Sequence, residues 1–321
     1  MGPINANLLW MIAGTFGALS IGTVVRLIAL RHSEAELVKK RIGSLKVWWI
    51  LAVLWSAAAV LGQMGAAVLL VIASFLAMRE YLRLVGTPAQ IGYPVIICLA
   101  ICGLVHYGLI VAGANQTAKW FLPLCGLISL GAVRSLSSGT DDYVRITAAT
   151  YWGAMLMVYG LSHSLFLFVV PIETEPWVGM AGWFLFLVLL TEMNDIMQAI
   201  VGRKFGKHKI TPLVSPNKSL EGLIGGALST VILSIALAPF LTALTADRDW
   251  FTGVVISALA GILISLFGFL GDINMSAIKR DAGVKDGSSL LPGMGGVIDR
   301  IDSMTFTGPV FYYFVVVISR Y

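Results

Sequence analysis

Apolar residues run along this chain in long unbroken stretches rather than in the short alternations of a soluble fold. In order, they cover 8–30, 47–78, 91–112, 120–133, 148–170, 177–193, 220–244, 251–270 and 306–319. A helix of roughly 20 apolar residues crosses a hydrocarbon core, so each stretch predicts one span. The stretch 47–78 is long enough for two if it turns at Gly62-Gln63-Met64-Gly65, which brings the expectation to about ten transmembrane helices. Trp10, Trp48, Trp49, Trp120, Trp177 and Trp250 fall near the predicted ends, where interfacial aromatics belong.

Composition agrees. Of 321 residues, 58% are hydrophobic and only 12% charged, against about 25% charged in soluble domains. The expected fold is an all-α, polytopic integral membrane bundle in one continuous domain, with N-terminal helices over 1–147 and the chemistry-bearing region over 148–321. Cys98, Cys102 and Cys125 all lie in apolar runs and read as small packed residues. The first apolar run is too long, and lacks the basic start, for a removable signal peptide. No repeat or low-complexity tract appears, and nothing suggests nucleic acid as a partner.

Charge sets orientation. The loops 31–46, 79–90, 134–147, 195–219 and 271–305 alternate in position, and together hold all of the 22 Lys and Arg except Arg26, Lys119, Arg248 and Arg320. The positive-inside rule makes these loops cytoplasmic and both termini outward. The sequon at Asn115-Gln116-Thr117 then faces outward, and reads as a chance match.

Two of these loops carry chemistry. The stretch from Gly271 to Asp302 reads GDINMSAIKRDAGVKDGSSLLPGMGGVIDRID. Asp272, Ser276 and Lys279 share one face if the helix continues out of its span, and Asp299 and Asp302 share a face if helical. Between them the turn Pro292-Gly293-Met294-Gly295-Gly296 permits close backbone approach to a ligand. Carboxylates for a hard cation, cations for phosphate oxygens and a glycine loop are the parts phosphoryl transfer uses. The second stretch, from Asn194 to Gly226, clusters Arg203, Lys204, Lys207, His208 and Lys209 before Ser215-Pro216-Asn217-Lys218-Ser219. Ser219 fits as the N-cap of the next span with Glu221 in its first turn, and a helix N-terminus beside Lys218 suits an anion.

An ionised Asp at bilayer depth costs about 2.5–3.5 kcal/mol, so these acids are seldom decoration. The blander readings are an interfacial Asp272, salt bridges from Asp299 and Asp302 to Arg280 or Arg300, a solvated Asp281 and a structural Glu192. Glu80, between Arg79 and Arg83, is expected to pair with a neighbouring arginine. His106 and His163, mid-span and without companion ligands, are expected to be packed and hydrogen-bonded.

The first stretch resembles the signature GDxxxSxxKRxxxxKDxGxxLPGHGGxxDRxD of phosphatidate cytidylyltransferases, the CDP-diacylglycerol synthases. The second resembles the same family's Gly-Arg-x-Phe-Gly-Lys-His and Ser-Pro-x-Lys-[ST]-x-Glu-Gly motifs, preceded by Asp195. Met294 departs from the signature, standing where the family has His; Met275 stands where it usually has an acid, Ser288 where it usually has Gly, and residues 196–199 diverge. The resemblance covers roughly the last 130 residues. It implies transfer of CMP from CTP to phosphatidic acid with Mg²⁺, in one or two ions, at a site facing the cytoplasm, in a chain that commonly forms homodimers. Asp272 and Asp299 would hold the metal between them, with Asp195, Asp286 and Asp302 as further ligand or supporting candidates. Lys218, Lys279, Arg280 and Arg300 would neutralise phosphate, and Gly293, Gly295 and Gly296 would admit the triphosphate. Ser215, Ser219, Ser276 and Lys285 complete the expected substrate contacts. A related enzyme acting on another lipid phosphate or a lipid alcohol, and a non-catalytic transporter or scaffold, are the competing classes. A carrier would gather its acids near the bilayer midplane, whereas here they collect at one face.

Overall fold

A computed structural model describes residues 5–31, 34–137, 140–172 and 174–319, so Arg320 lies outside the described residues. The described residues form ten long helices: α1 (Ala6–Ala29), α2 (Ala35–Val60), α3 (Gly62–Val85), α4 (Tyr93–Val111), α5 (Asn115–Ser137), α6 (Tyr143–Val169), α7 (Ala181–Phe205), α8 (Leu220–Leu241), α9 (Trp250–Asp281) and α10 (Ile298–Ile318). Among the described residues nine helices are long and apolar enough to cross a membrane. The tenth, α3, has 24 residues and ends on Arg79, Glu80 and Arg83. A short antiparallel hairpin, β1 (Lys209–Thr211) with β2 (Ser215–Ser219), joins α7 to α8 and was not expected.

The run 47–78 does divide, at Leu61-Gly62, where Gly62 takes φ +67. The start of α2 and the end of α3 both return to the 288–298 loop, Gly43 against the Pro292 carbonyl and Glu80 onto the Ile298 amide. The two helices therefore form a hairpin. They are helices of 26 and 24 residues rather than short ones, because each continues through polar residues at the end near that loop. The same continuation explains the other boundary differences. α9 runs to Asp281, well past the apolar limit at 270, and α10 begins at Ile298 rather than 306.

Local chemistry fixes the ends of α9. Asp249 accepts the Thr252 amide at 2.9 Å as N-cap. At the other end Gly283 adopts φ +72, while its amide and that of Val284 return to the carbonyls of Arg280 and Lys279 in a Schellman close. That extension puts Asp272, Ser276 and Lys279 on a helix, as their spacing predicts.

α6 is the central column, with 78% of its apolar window buried, whereas α1 is peripheral at 6%. Phe166 of α6, Trp183, Phe184 and Phe186 of α7 and Phe311 of α10 are fully buried, and Phe186 stacks on Phe311 at 5.5 Å. His106 and His163 are buried as expected, His106 Nε2 meeting Ser162 Oγ and His163 Nδ1 meeting the Tyr159 carbonyl, each at 2.8 Å. A polar seam crosses the helices nearer the site: the Asn194 side-chain oxygen accepts from Ser265 Oγ at 2.8 Å and Thr230 Oγ1 at 3.3 Å. Such bonds supply association where lipid offers no hydrophobic drive. One contact bears directly on function. A Cβ on Gly271 would lie 2.6 Å from the Asp302 carbonyl, so glycine there lets α9 and α10 close until Asp272 and Asp302 are neighbours.

Candidate active site

A cavity of about 1200 Å³ opens where one end of α1, α2, α7, α9 and α10 meets β2 and the loop after α9. Into it come Glu192 and Asp195 from α7, Lys218 from β2, Asp272 and Lys279 from α9, and Asp299, Arg300 and Asp302 from α10. Lys285, Asp286, Gly293, Met294 and Gly295 border it from the loop.

Lys218 is the hub of one half. Its Nζ stands 2.5 Å from Asp272 Oδ2 and donates to Gln198 Oε1 at 3.1 Å. Burial works against the charged ammonium. The carboxylates of Asp272 and Asp195 outweigh it and hold the Lys218 pKa above the usual lysine value. Asp195 and Asp302 both lie within electrostatic range of Asp272. Ser276 Oγ steadies Asp272 Oδ1 at 3.3 Å, and Ser303 steadies the other two, its hydroxyl donating to Asp195 Oδ2 and its amide accepted by Asp302 Oδ1, each at 2.8 Å.

Asp299 organises the other half. Its Oδ1 takes Lys279 Nζ at 2.5 Å, and its Oδ2 accepts the amides of Gly287 at 3.0 Å and Gly296 at 2.8 Å. This carboxylate is therefore committed to folding the loop. Residues 291–294 make a turn closed by the Met294 amide on the Leu291 carbonyl, with Pro292 second and Gly293 third at φ +75, the type II pattern. Gly295 has φ +87, and a Cβ there would strike the Asp299 carboxylate. Glu80 completes the brace. It is 4% exposed, accepts Ser288 Oγ at 2.6 Å and the Ile298 amide at 2.9 Å, and makes no arginine pair. The expected surface pair with Arg79 or Arg83 gives way because α3 runs far enough to bring Glu80 under the loop. Nothing in the local sequence around Glu80 signals that contact. Ser288, one of the departures from the family signature, supplies one of its two donors.

Some expected contacts lie elsewhere. Arg280 turns away from the cavity and holds two segments together through the carbonyls of Val214 at 3.2 Å and Val284 at 3.1 Å. Ser219 caps α8, accepting the Gly222 amide at 3.2 Å, and Ser215 and Gly296 sit behind the cavity wall rather than on it. Glu221 folds back onto the amides of Lys207 and His208 and onto His208 Nδ1 at 2.6 Å, ordering the basic loop. Two cationic wall residues, Arg26 and Arg41, lie outside both chemical stretches, and Gln198, which accepts from Lys218 behind the wall, carries no marker in the motifs.

The family model for the cytidylyltransferase family matches residues 40–318. The chain belongs to the cytidylyltransferase family. It is similar to uncharacterized protein YnbB of Escherichia coli (strain K12), 37% identical over 84% of this chain and 86% of that one. It is also similar to the phosphatidate cytidylyltransferases of Haemophilus influenzae (44% identical over 44% of this chain and 47% of that one) and Staphylococcus haemolyticus (39% over 40% and 46%). The matched segment thus spans about half the length of these two enzymes. Membership makes this protein a nucleotidyltransferase, and its long apolar helices make it an integral membrane one.

The cytidylyltransferase cavity fits a hard divalent cation by its donors. They are all oxygens, and Asp195 Oδ1 is buried without a hydrogen-bond partner. The Lys218 ammonium already draws on Asp272 and Gln198 as a cation would. Among the described residues no three His, Cys, Asp or Glu stand in ligating geometry. Mg²⁺ takes one or two carboxylates and completes its shell with water and substrate phosphate.

Proposed function

We propose that this cytidylyltransferase transfers CMP from CTP to phosphatidic acid, giving CDP-diacylglycerol and pyrophosphate, with Mg²⁺ and with its site facing the cytoplasm. The observation that carries the reading is the joining of the two motif stretches in one cavity, with Lys218 set on Asp272 beside Asp195 and Asp302. A phosphatidate phosphate is already anionic at neutral pH, so attack on the α-phosphorus of CTP needs no strong base. It needs screening of like charge, alignment of the two reactants and stabilisation of the departing pyrophosphate. Asp272 and Asp195, with Asp302 beside them, would hold Mg²⁺, which when bound screens phosphate charge. Lys218 and Arg300 meet phosphate oxygens from the cavity wall, and the Arg300 Nε is buried with no hydrogen-bond partner among the described residues. The glycine turn at 293–295, braced by Asp299 and Glu80, gives the triphosphate room to lie against backbone.

Orientation follows from the charge asymmetry of the loops, and the cytoplasm is where CTP is found. A second reading keeps the chemistry and changes the lipid: similarity over most of the chain is to a protein whose name carries no substrate, while the phosphatidate enzymes match less than half of it. Purified protein incubated with CTP, Mg²⁺ and separate phosphatidate, polyprenol phosphate and archaeal-type lipid phosphate tests both. Pyrophosphate release fastest with phosphatidate supports the proposal; preference for another lipid phosphate overturns its substrate, and release with none overturns the reaction.

A further inference from the structure

Three arginines on three different helices face the same cavity: Arg26 of α1, Arg41 of α2 and Arg203 of α7. Arg26 lies within electrostatic range of both others, and no ion pair between described residues involves any of the three. Converging like charges repel, and a guanidinium on a membrane helix is held at a cost, so an anion bound among the three is favoured. Planar guanidinium forks match the oxygens of a phosphate monoester.

The surroundings say which phosphate. α1 is almost wholly exposed to its surroundings, at 6% buried. Along it Gly22 and Arg26 face the cavity, while Thr23 and Leu27, on the adjoining face, line a separate groove of about 510 Å³ against Leu45 and Trp49 of α2. That groove is apolar along nearly its whole length, and a single hydrogen bond, Trp49 Nε1 to Thr23 Oγ1 at 3.1 Å, crosses it. The outer end of α1 is tied down by Asn5 and Asn7 on the Trp177 carbonyl. A headgroup in the cavity with an acyl chain in the neighbouring groove satisfies both surfaces at once, and a soluble triphosphate satisfies only the first.

We infer that Arg26, Arg41 and Arg203 form the headgroup subsite for the lipid phosphate monoester, with the α1–α2 groove receiving one acyl chain. Arg26 lies before the segment matched by the family model, at residues 40–318, so α1 brings to this site a residue outside the matched segment. The inference deepens the proposed function and rests on it for the identity of the lipid.

The test uses the full-length protein in mixed micelles, with phosphatidate varied as mole fraction and CTP varied separately. Arg26→Ala is expected to raise the phosphatidate KM about tenfold, the size of one lost charge-assisted contact, with the CTP KM within about twofold of wild type. Arg26→Lys, which keeps charge but not the fork, recovers part of the loss. A rise in the CTP KM instead, or no change in either, overturns the subsite. A second readout is independent of turnover: the thermal stabilisation of the protein by phosphatidate over phosphatidylcholine in nanodiscs. Its loss in Arg26→Ala supports the subsite even if wild type forms no CDP-lipid, an outcome that sinks the proposed reaction alone. Retention of full stabilisation in Arg26→Ala overturns the subsite.

Discussion

Asp272 and Asp299 look equivalent in the motif, yet the structure gives them different work. Asp272 holds Lys218 within range of Asp195 and Asp302, whereas Asp299 spends both oxygens on Lys279 and two loop amides. Substitutions should therefore separate. Asp272→Asn is expected to cut kcat by about 10² or more with a smaller melting loss than Asp299→Ala, because Lys218 keeps Gln198 and Asp195 beside it. Asp299→Ala is expected to unfold the loop and to lower stability by about 3–5 kcal/mol, because it strands the Lys279 ammonium in a buried position. Thermal melts and steady-state rates on both proteins distinguish the two; equal melting losses would erase the distinction. The Lys218 pair has its own pH signature. A lysine raised in the folded state contributes fully below its unfolded value near 10.5 and loses that contribution as pH rises through the higher folded value. The melting difference between wild type and Lys218→Met should shrink as pH rises through the strongly alkaline range.

At the scale of elements, the motif spacings were legible. The i, i+4, i+7 pattern of Asp272, Ser276 and Lys279 predicts the helical extension of α9, and Ser219 predicts the cap of α8. Ser219→Ala should lower the melting free energy by about 0.5–2 kcal/mol, read as a shift in the thermal midpoint. What spacing does not carry is side-chain direction across elements. Asp299 and Asp302 sit three apart on one helical turn but serve different neighbours, because Gly271 draws α9 against the Asp302 carbonyl while the loop wraps Asp299. Glu80 reaches a loop more than 200 residues away, a contact that no local pattern predicts. Gly271→Ala tests the helix contact: an added methyl would part α9 from α10, and kcat should fall more than the KM for CTP rises. Unchanged kcat would show that the Asp272–Asp302 approach is dispensable.

For the whole molecule, the hydrophobic runs correctly predict an all-α membrane bundle, with nine helices among the described residues long and apolar enough to span against about ten expected, since apolar length is all a span requires. Helix ends were misjudged wherever polar residues extend a helix beyond the apolar run, as in α2, α3, α9 and α10. Those extensions build the site, which is why apolarity alone does not reveal it. The role of α1 was also hidden, because Arg26 reads as a stray charge in a lipid-facing span until the cavity is seen. The topology has a direct check: single cysteines at Lys285 and at Asn115, in a background lacking Cys98, Cys102 and Cys125, should react with impermeant maleimide from opposite sides of intact cells. Labelling of both from outside would break the arrangement.

The central claim is that a nucleotide and a lipid phosphate meet at Asp272 and Lys218 and exchange CMP. Wild type and Asp272→Asn incubated with phosphatidate, Mg²⁺ and CTP labelled either at the α- or the γ-phosphate test it most directly. The account predicts that the α-label enters the lipid and the γ-label leaves as pyrophosphate with wild type, and neither moves with Asp272→Asn. Gamma-label in the lipid, or undiminished transfer by Asp272→Asn, would contradict it.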